Sequence, residues 1–152
     1  MSQIIEISRE YLDSLQWKYQ DEELHNAIRF GIELENGKVE CLLIEKVEQE
    51  LLQFFSLIPL NAPQDRIEAV AEYVSRANFG LSFGCFEFDY DEGEIRYRTS
   101  ILTPKGIASE NQISSLIHVN LNTMDRYLYG IMKVMFGDAD PKRSIEEIEA
   151  TL

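Results

Sequence analysis

Few residues of this chain are placed to do chemistry, and they fall into small groups. Asp89, Asp91, Glu92 and Glu94 crowd around Gly93, an arrangement similar to a calcium loop. In an EF-hand the glycine stands at the sixth place and a helix precedes the loop; here it stands at the fifth and no strong helix comes before it. The run therefore reads as a charged hairpin tip. Glu33 and Glu40 could share a cation, or raise one carboxyl pKa as close like charges do. On an exposed sheet face, solvent screening is the simpler description. Two histidines and two cysteines invite a zinc site, but there is no Cys-x-x-Cys or His-x-x-x-His spacing, and His25 lies in a loop far in sequence from helical His118. His118, Asn120 and Asn122 could line a pocket or belong to a solvated helix face. For a serine or cysteine nucleophile there is no elbow, no base at a telling spacing and no glycine-rich phosphate loop. The residues thus predict no catalytic group, no metal and no cofactor.

The elements that would carry these residues have clearer signatures. A helix is expected over about Ser8 to Leu15, burying Tyr11, Leu12 and Leu15, followed by an extended piece from Trp17 to Gln20. Ile28, Phe30, Ile32 and Leu34 then alternate with polar residues up to Asn36-Gly37, the preferred pair for a type I′ turn. Closing the hairpin there sets Leu34 opposite Val39, Ile32 opposite Cys41 and Phe30 opposite Leu43. On the other face Glu33 meets Glu40, and Leu42 and Ile44 point the same way as these charges. A third strand over Glu50 to Ile58 adds either Phe55 with Leu57 or Phe54 with Ile58 to that face.

Pro63 and Asp65 open a helix to about Asn78, with Ile67, Val70, Ala71 and Val74 inward. A second hairpin with Asp91 to Glu94 as its turn sets Phe88 opposite Tyr97 and Glu87 opposite Arg98, aromatic pairs on one side and opposite charges on the other. Thr103-Pro104-Lys105-Gly106 ends the sheet. Ser109 with Gln112 is a capping-box start for a long helix whose stripe is Ile113, Ile117, Leu121, Met124, Leu128, Ile131 and Met135. Met124 and Met135 lie on that stripe and read as core, although with Met132, Tyr127 and Tyr129 they could form an adaptable surface. Gly137 stops the helix, and Asp140-Pro141 opens a last short one. The expected fold is α+β: an antiparallel sheet made of a meander plus a hairpin, with flanking helices in the order α-β-β-β-α-β-β-α-α.

Composition limits the partners. With 27 acidic against 14 basic residues the formal net charge is -13, a field that opposes nucleic acid and anionic membranes and favours basic or cationic partners. Residues 1–152 are expected to form a single domain. The N-terminus lacks the pattern of a signal peptide and no apolar run reaches membrane-spanning length, so a cytoplasmic protein is expected. Cys41 and Cys85, each inside an apolar strand pattern, read as buried free thiols.

The element order, taken with Asn78-Phe79, Phe86-Glu87-Phe88-Asp89, Gly93-Glu94-Ile95-Arg96-Tyr97-Arg98, Asp125-Arg126-Tyr127-Leu128 and Met135-Phe136-Gly137, resembles the bacterial YbjN-type domain family, including its cyanobacterial members, from about Ser8 to Ile148. One departure is Tyr129, where the family pattern has proline; without it the long helix is expected to run unkinked. The family is described as a sensory-transduction regulator with a fold similar to type III secretion chaperones, which are small, acidic and dimeric. The resemblance implies a non-catalytic protein-interaction or regulatory module, acting as a homodimer on a protein partner. An ion or small-molecule sensor with its ligand between sheet and helices is the alternative, and inward polar groups, which it would need, are not apparent in the pattern. The expected protein-binding residues are Leu42, Ile44, Glu33, Glu40 and Phe55, an apolar patch rimmed by carboxylates, open unless the first helix covers it.

Overall fold

The computed structural model describes residues 2–151, apart from the side chain of Glu23. Its elements are α1 (Gln3–Ser14), β1 (Gln20–Glu22), β2 (Ala27–Leu34), β3 (Gly37–Lys46), β4 (Leu51–Leu57), α2 (Ile67–Asn78), β5 (Cys85–Phe88), β6 (Ile95–Leu102), α3 (Glu110–Phe136) and α4 (Pro141–Glu149). The six strands form one antiparallel sheet in the order β1-β2-β3-β4-β6-β5. The α+β class and the order of the longer elements are as the sequence predicts. The sheet gains a strand, because the extended piece after the first helix pairs Gln20 with Arg29 and Glu22 with Ala27.

The first helix begins well before Ser8. The Ser2 hydroxyl accepts from the Ile5 amide at 3.1 Å, capping a helix that buries Ile4, Ile5, Ser8 and Leu12 and leaves Tyr11 and Leu15 half-buried. Both hairpins are displaced by two residues from the expected register. In the first, Leu34 pairs with Gly37, Ile32 with Val39 and Phe30 with Cys41, so Glu35-Asn36 form the turn. The carboxylate of Asp125 on α3 accepts from the Asn36 amide at 2.8 Å and from the Glu35 amide at 3.3 Å. A tertiary contact to the turn thus overrides the local preference of Asn-Gly for a type I′ geometry. In the second, Phe88 pairs with Ile95 and Glu87 with Arg96. The loop lengthens because the Ala62 amide donates to the Gly93 carbonyl at 2.8 Å, and Gly93, at φ 80°, lies against Ala62 where a Cβ would come within 2.6 Å of its carbonyl oxygen.

A shift of two preserves side-chain parity, so each strand still turns the anticipated residues to each face. Ile28, Phe30, Val39, Cys41, Leu43, Leu52, Phe54, Phe86, Ile95 and Tyr97 join Ile113, Leu116, Ile117, Leu121, Met124 and Ile131 of α3 in one core. α3 runs continuously through Tyr129 for 27 residues and carries the capping box of Ser109 and Gln112. At its end Gly137 is not the left-handed residue: Asp138 adopts φ 58°, and the Arg66 guanidinium lies 3.2 Å from its carboxylate. Asp140 and Pro141 open α4 as expected. α3 packs on β4 and β6, α1 and α4 pack on α3, and α2 packs on β5, all on the face that bears Phe54 and Tyr97.

Candidate interaction surface

Among the described residues, no helix packs on the opposite face of the sheet. The pairing places Ala27, Arg29, Gly31 and Glu33 of β2, Lys38, Glu40, Leu42, Ile44 and Lys46 of β3, and Leu51, Gln53, Phe55 and Leu57 of β4 on it. β6 and β5 extend it with Arg96, Arg98, Ser100, Leu102, Cys85 and Glu87. All five anticipated residues, Leu42, Ile44, Glu33, Glu40 and Phe55, therefore share this face. Leu42 faces Phe55 directly, with Ile44 beside them on β3 opposite Gln53. Leu42 and Ile44 are half-buried, Glu33 and Glu40 exposed, and Phe55 only 7 % exposed. Between the two alternatives for the third strand, the pair here is Phe55 with Leu57; Phe54 and Ile58 are core. Phe55 owes its burial to flanking side chains, the Arg96 guanidinium lying 4.5 Å from its ring centroid.

The face is not acidic at its rim. Glu33 sits opposite Lys38, and Glu40 opposite Gly31 with its carboxylate 3.6 Å from the Lys38 ammonium. The two glutamates do not oppose one another, and the cation-sharing arrangement falls with the register that suggested it. Farther along, Glu87 takes Arg96 Nε on one oxygen at 2.8 Å and lies 3.3 Å from Arg98 Nε with the other. Arg29 donates to Glu22. Most basic groups here already have a carboxylate neighbour, so the surface is an apolar stripe among neutralised charges.

The polar residues of the long helix divide. His25 is exposed, while His118 packs between Tyr11 and Trp17, its Nε2 sharing a hydrogen bond with the Tyr11 hydroxyl at 2.7 Å. Burial pushes its pKa below the ordinary histidine value. Asn120 is fully buried, so of its two readings, pocket-lining or solvated, the solvated one does not hold. It accepts from Ser56 Oγ at 2.6 Å and donates to the carbonyls of Phe54 and Tyr97 at 2.9 and 3.0 Å, tying α3 to adjacent strands β4 and β6. Thr99 Oγ1 donates to the Leu116 carbonyl at 2.8 Å. An inward polar cluster therefore exists, contrary to the expectation of none, but its members bond to one another and to the sheet. The sequence held a signal for it: Asn120 stands three residues after Ile117 and four before Met124, on the apolar stripe itself.

Met124 and Met135 are buried, Met132 is half-buried and Tyr129 is exposed. Tyr127 is buried, its hydroxyl donating to Glu149 at 2.9 Å; burial and this carboxylate push its pKa up to about 12. Cys41 is buried, whereas Cys85 is half-exposed on the open face, 3.3 Å from a terminal guanidinium nitrogen of Arg98. At the hairpin tip Asp89 Oδ1 accepts from the Asp91 amide at 2.9 Å. Among the described residues no three His, Cys, Asp or Glu side chains converge as metal ligands would, and no helix is long and apolar enough to cross a membrane.

An antiparallel sheet with its helices gathered on one side, and a site that is a surface, define a class of small α+β domains. Within that class the chain belongs to the YbjN family, described as "Putative bacterial sensory transduction regulator", whose pattern matches residues 7–131. It is similar to the crystal structure of YbjN from E. coli, with TM-score 0.59 and 11 % identity over 80 % of this chain and 85 % of that one. The ExsC–ExsE complex gives TM-score 0.54 and 12 % identity over 84 % of this chain and 94 % of that chain. The HopA1–SchA chaperone–effector complex gives 0.48 and 16 % over 79 % and 88 %. The fold is thus type III secretion chaperone-like. Among curated proteins, no sequence matches this chain.

Proposed function

We propose that this chain is a non-catalytic protein-interaction or regulatory module of the cytoplasm, folded as one domain and working as a homodimer on a protein partner. The observation that carries the reading is the sheet face bearing Leu42, Ile44 and Phe55, which the helices of the described residues leave uncovered. A contiguous apolar stripe that a chain does not cover itself is the usual mark of an interaction site. The family description and a chaperone-like fold found with ExsE in complex support the same reading. Glu33 and Glu40, held among Lys38 and Arg29, would set orientation at the edge of the contact, where paired charges steer more than they bind.

The test is to change Leu42 and Ile44 to Ser together and to measure melting temperature and association. Association lost with the melt of the residual monomer unchanged supports an interaction surface. Collapse of the fold, with no soluble monomer, would show the stripe to be core.

A further inference from the structure

We infer that a small-molecule site lies away from the open sheet face, in the cleft between the α2–β5 connection, α3 and the last residue of α4, and that it takes a small zwitterion with an apolar side chain, of the α-amino acid class. The inference does not depend on what the sheet face binds. The cleft has a volume of about 300 Å³, at the lower end of the range for ligand sites. Phe79, Leu81, Phe83 and Val119 form apolar walls, and the buried Tyr97 and Tyr127 lie behind them. Two charged side chains line it, Arg126 and Glu149.

These two charges select the ligand. The Arg126 guanidinium lies 5.5 Å from the centroid of the Tyr127 ring and has no hydrogen bond or salt bridge to any described residue. Arg29, Arg66, Arg76, Arg96 and Arg98 each have a carboxylate beside them. In a chain of net charge -13 an arginine left without one is free to take a carboxylate from outside. Glu149 accepts from the Tyr127 hydroxyl at 2.9 Å with one oxygen. The two ions therefore flank one aromatic ring without pairing to each other. A bare anion would suit Arg126 but be repelled by Glu149 and by the field of the whole chain, while a bare cation would suit Glu149 and meet Arg126. A zwitterion answers both and carries no net charge for that field to act on.

The cleft is also preformed. The Leu81 amide donates to the Asn78 carbonyl at 3.2 Å at one end of the connection, and the Tyr97 hydroxyl donates to the Phe83 carbonyl at the other. Gly80 and Gly84 take φ values of 90° and 83°, and a Cβ at Gly84 would come within 2.5 Å of the Arg98 carbonyl oxygen, so the path that sets Leu81 and Phe83 on the cleft depends on both glycines. A site ordered before its ligand arrives loses less freedom on binding. Phe79, 88 % exposed, stands at the mouth as an aromatic ring that a bound apolar side chain would partly cover.

The experiment is an amide NMR titration of the full chain with free L-phenylalanine and L-leucine, with glycine as the ligand lacking a side chain, and with N-acetyl-phenylalanine and phenylalanine amide, each of which lacks one charge. Saturable shifts at Gly80, Leu81 and Thr123 are expected with L-phenylalanine or L-leucine at about millimolar concentration or below, and none with glycine. Each blocked analogue should bind about tenfold or more weakly than free phenylalanine, the usual weight of a hydrogen bond to a charged group. Arg126→Gln should weaken binding by a similar factor, as should Glu149→Gln, which keeps an acceptor for Tyr127; Arg143→Gln, on the exposed side of α4, should change it by no more than about twofold. No shift in the cleft with either amino acid up to about 10 mM overturns the inference. So does equal binding of the blocked analogues by the wild type, a result that needs no variant to fold. Binding of phenylalanine only within a peptide overturns it too, and gives the cleft to a protein segment.

Discussion

Asn78 closes the free edge of the sheet by holding Phe86 from both sides of one peptide pair: its Oδ1 accepts from the Phe86 amide at 2.7 Å and its Nδ2 donates to the Phe86 carbonyl at 3.0 Å. The last residue of α2 thereby does what a seventh strand would do. Asn78→Ala should destabilise the protein by about 1–3 kcal/mol, the usual cost of leaving part-buried main-chain groups without partners. Amide exchange at Phe86 should accelerate by more than the global loss explains. Asn78→Asp separates the two bonds, because it retains the acceptor and loses the donor; an exchange rate at Phe86 like that of the alanine variant would refute the assignment.

Much of this architecture was legible because parity in strands and the step of three and four in helices survive small errors of position. Both hairpins are two residues away from the register that the turn sequences favour, yet Leu42, Ile44 and Phe55 still share a face. What the sequence could not show was the origin of the shift, which lies in contacts 89 and 31 residues away, Asp125 with Asn36 and Ala62 with Gly93. The absence of an acidic rim had the same cause, since Glu33 and Glu40 oppose each other only in the unshifted pairing. Asn120 stays ambiguous in the sequence because its polarity suits a solvated face while its position lies on the apolar stripe.

Asn120 predicts a second outcome. Substituting Leu there removes the acceptor of Ser56 and the second donor to two sheet carbonyls, all in a site without solvent access. Stability should fall by at least about 2 kcal/mol in denaturant titration. Adding Ser56→Ala to Asn120→Leu should cost less than the two single losses combined, because the Ser56 hydroxyl is then no longer stranded. Strict additivity would argue against a shared network.

Gly130 sits where α3 meets α2 and α4. A Cβ there would fall 2.3 Å from Tyr73 Oη and 2.5 Å from Ile148 Cδ1. Alanine usually gains about 1 kcal/mol over glycine in a helix, but Tyr73 cannot yield easily, since its hydroxyl donates to the Tyr127 carbonyl at 2.8 Å. Gly130→Ala should therefore lower the melting temperature, with a net loss of about 1–3 kcal/mol. Adding Tyr73→Phe should recover part of it; no recovery would place the strain on the α4 side instead.

His118 makes stability depend on pH in a defined direction. Its folded-state pKa is lowered by burial, so between that value and the ordinary one, near 6.5, the unfolded chain binds the proton and the folded chain does not. The contribution is complete above the ordinary value and is lost as pH falls through it toward the folded-state value. Wild type should lose more melting temperature between neutral and mildly acidic pH than His118→Gln does. A parallel fall in both proteins would assign the acid sensitivity to carboxylates.

The two thiols give a direct check on which sheet face is open. Cys41 lies on the helix-covered face, and burial raises its pKa, so little thiolate forms and reagents have no path to it. Cys85 lies on the other face, paired with Arg98 across β5 and β6 and half-exposed. A small aromatic disulfide reagent should therefore modify one thiol quickly in the folded protein and the second only in denaturant, with peptide mapping assigning the fast site to Cys85. The contrast should survive replacement of Cys85 by Ser, which leaves a native protein with almost no reactivity. If Cys41 reacts at a comparable rate in the native state, α3 opens from the sheet far more often than a core this well packed permits, and the covered and open faces would have to be reassigned.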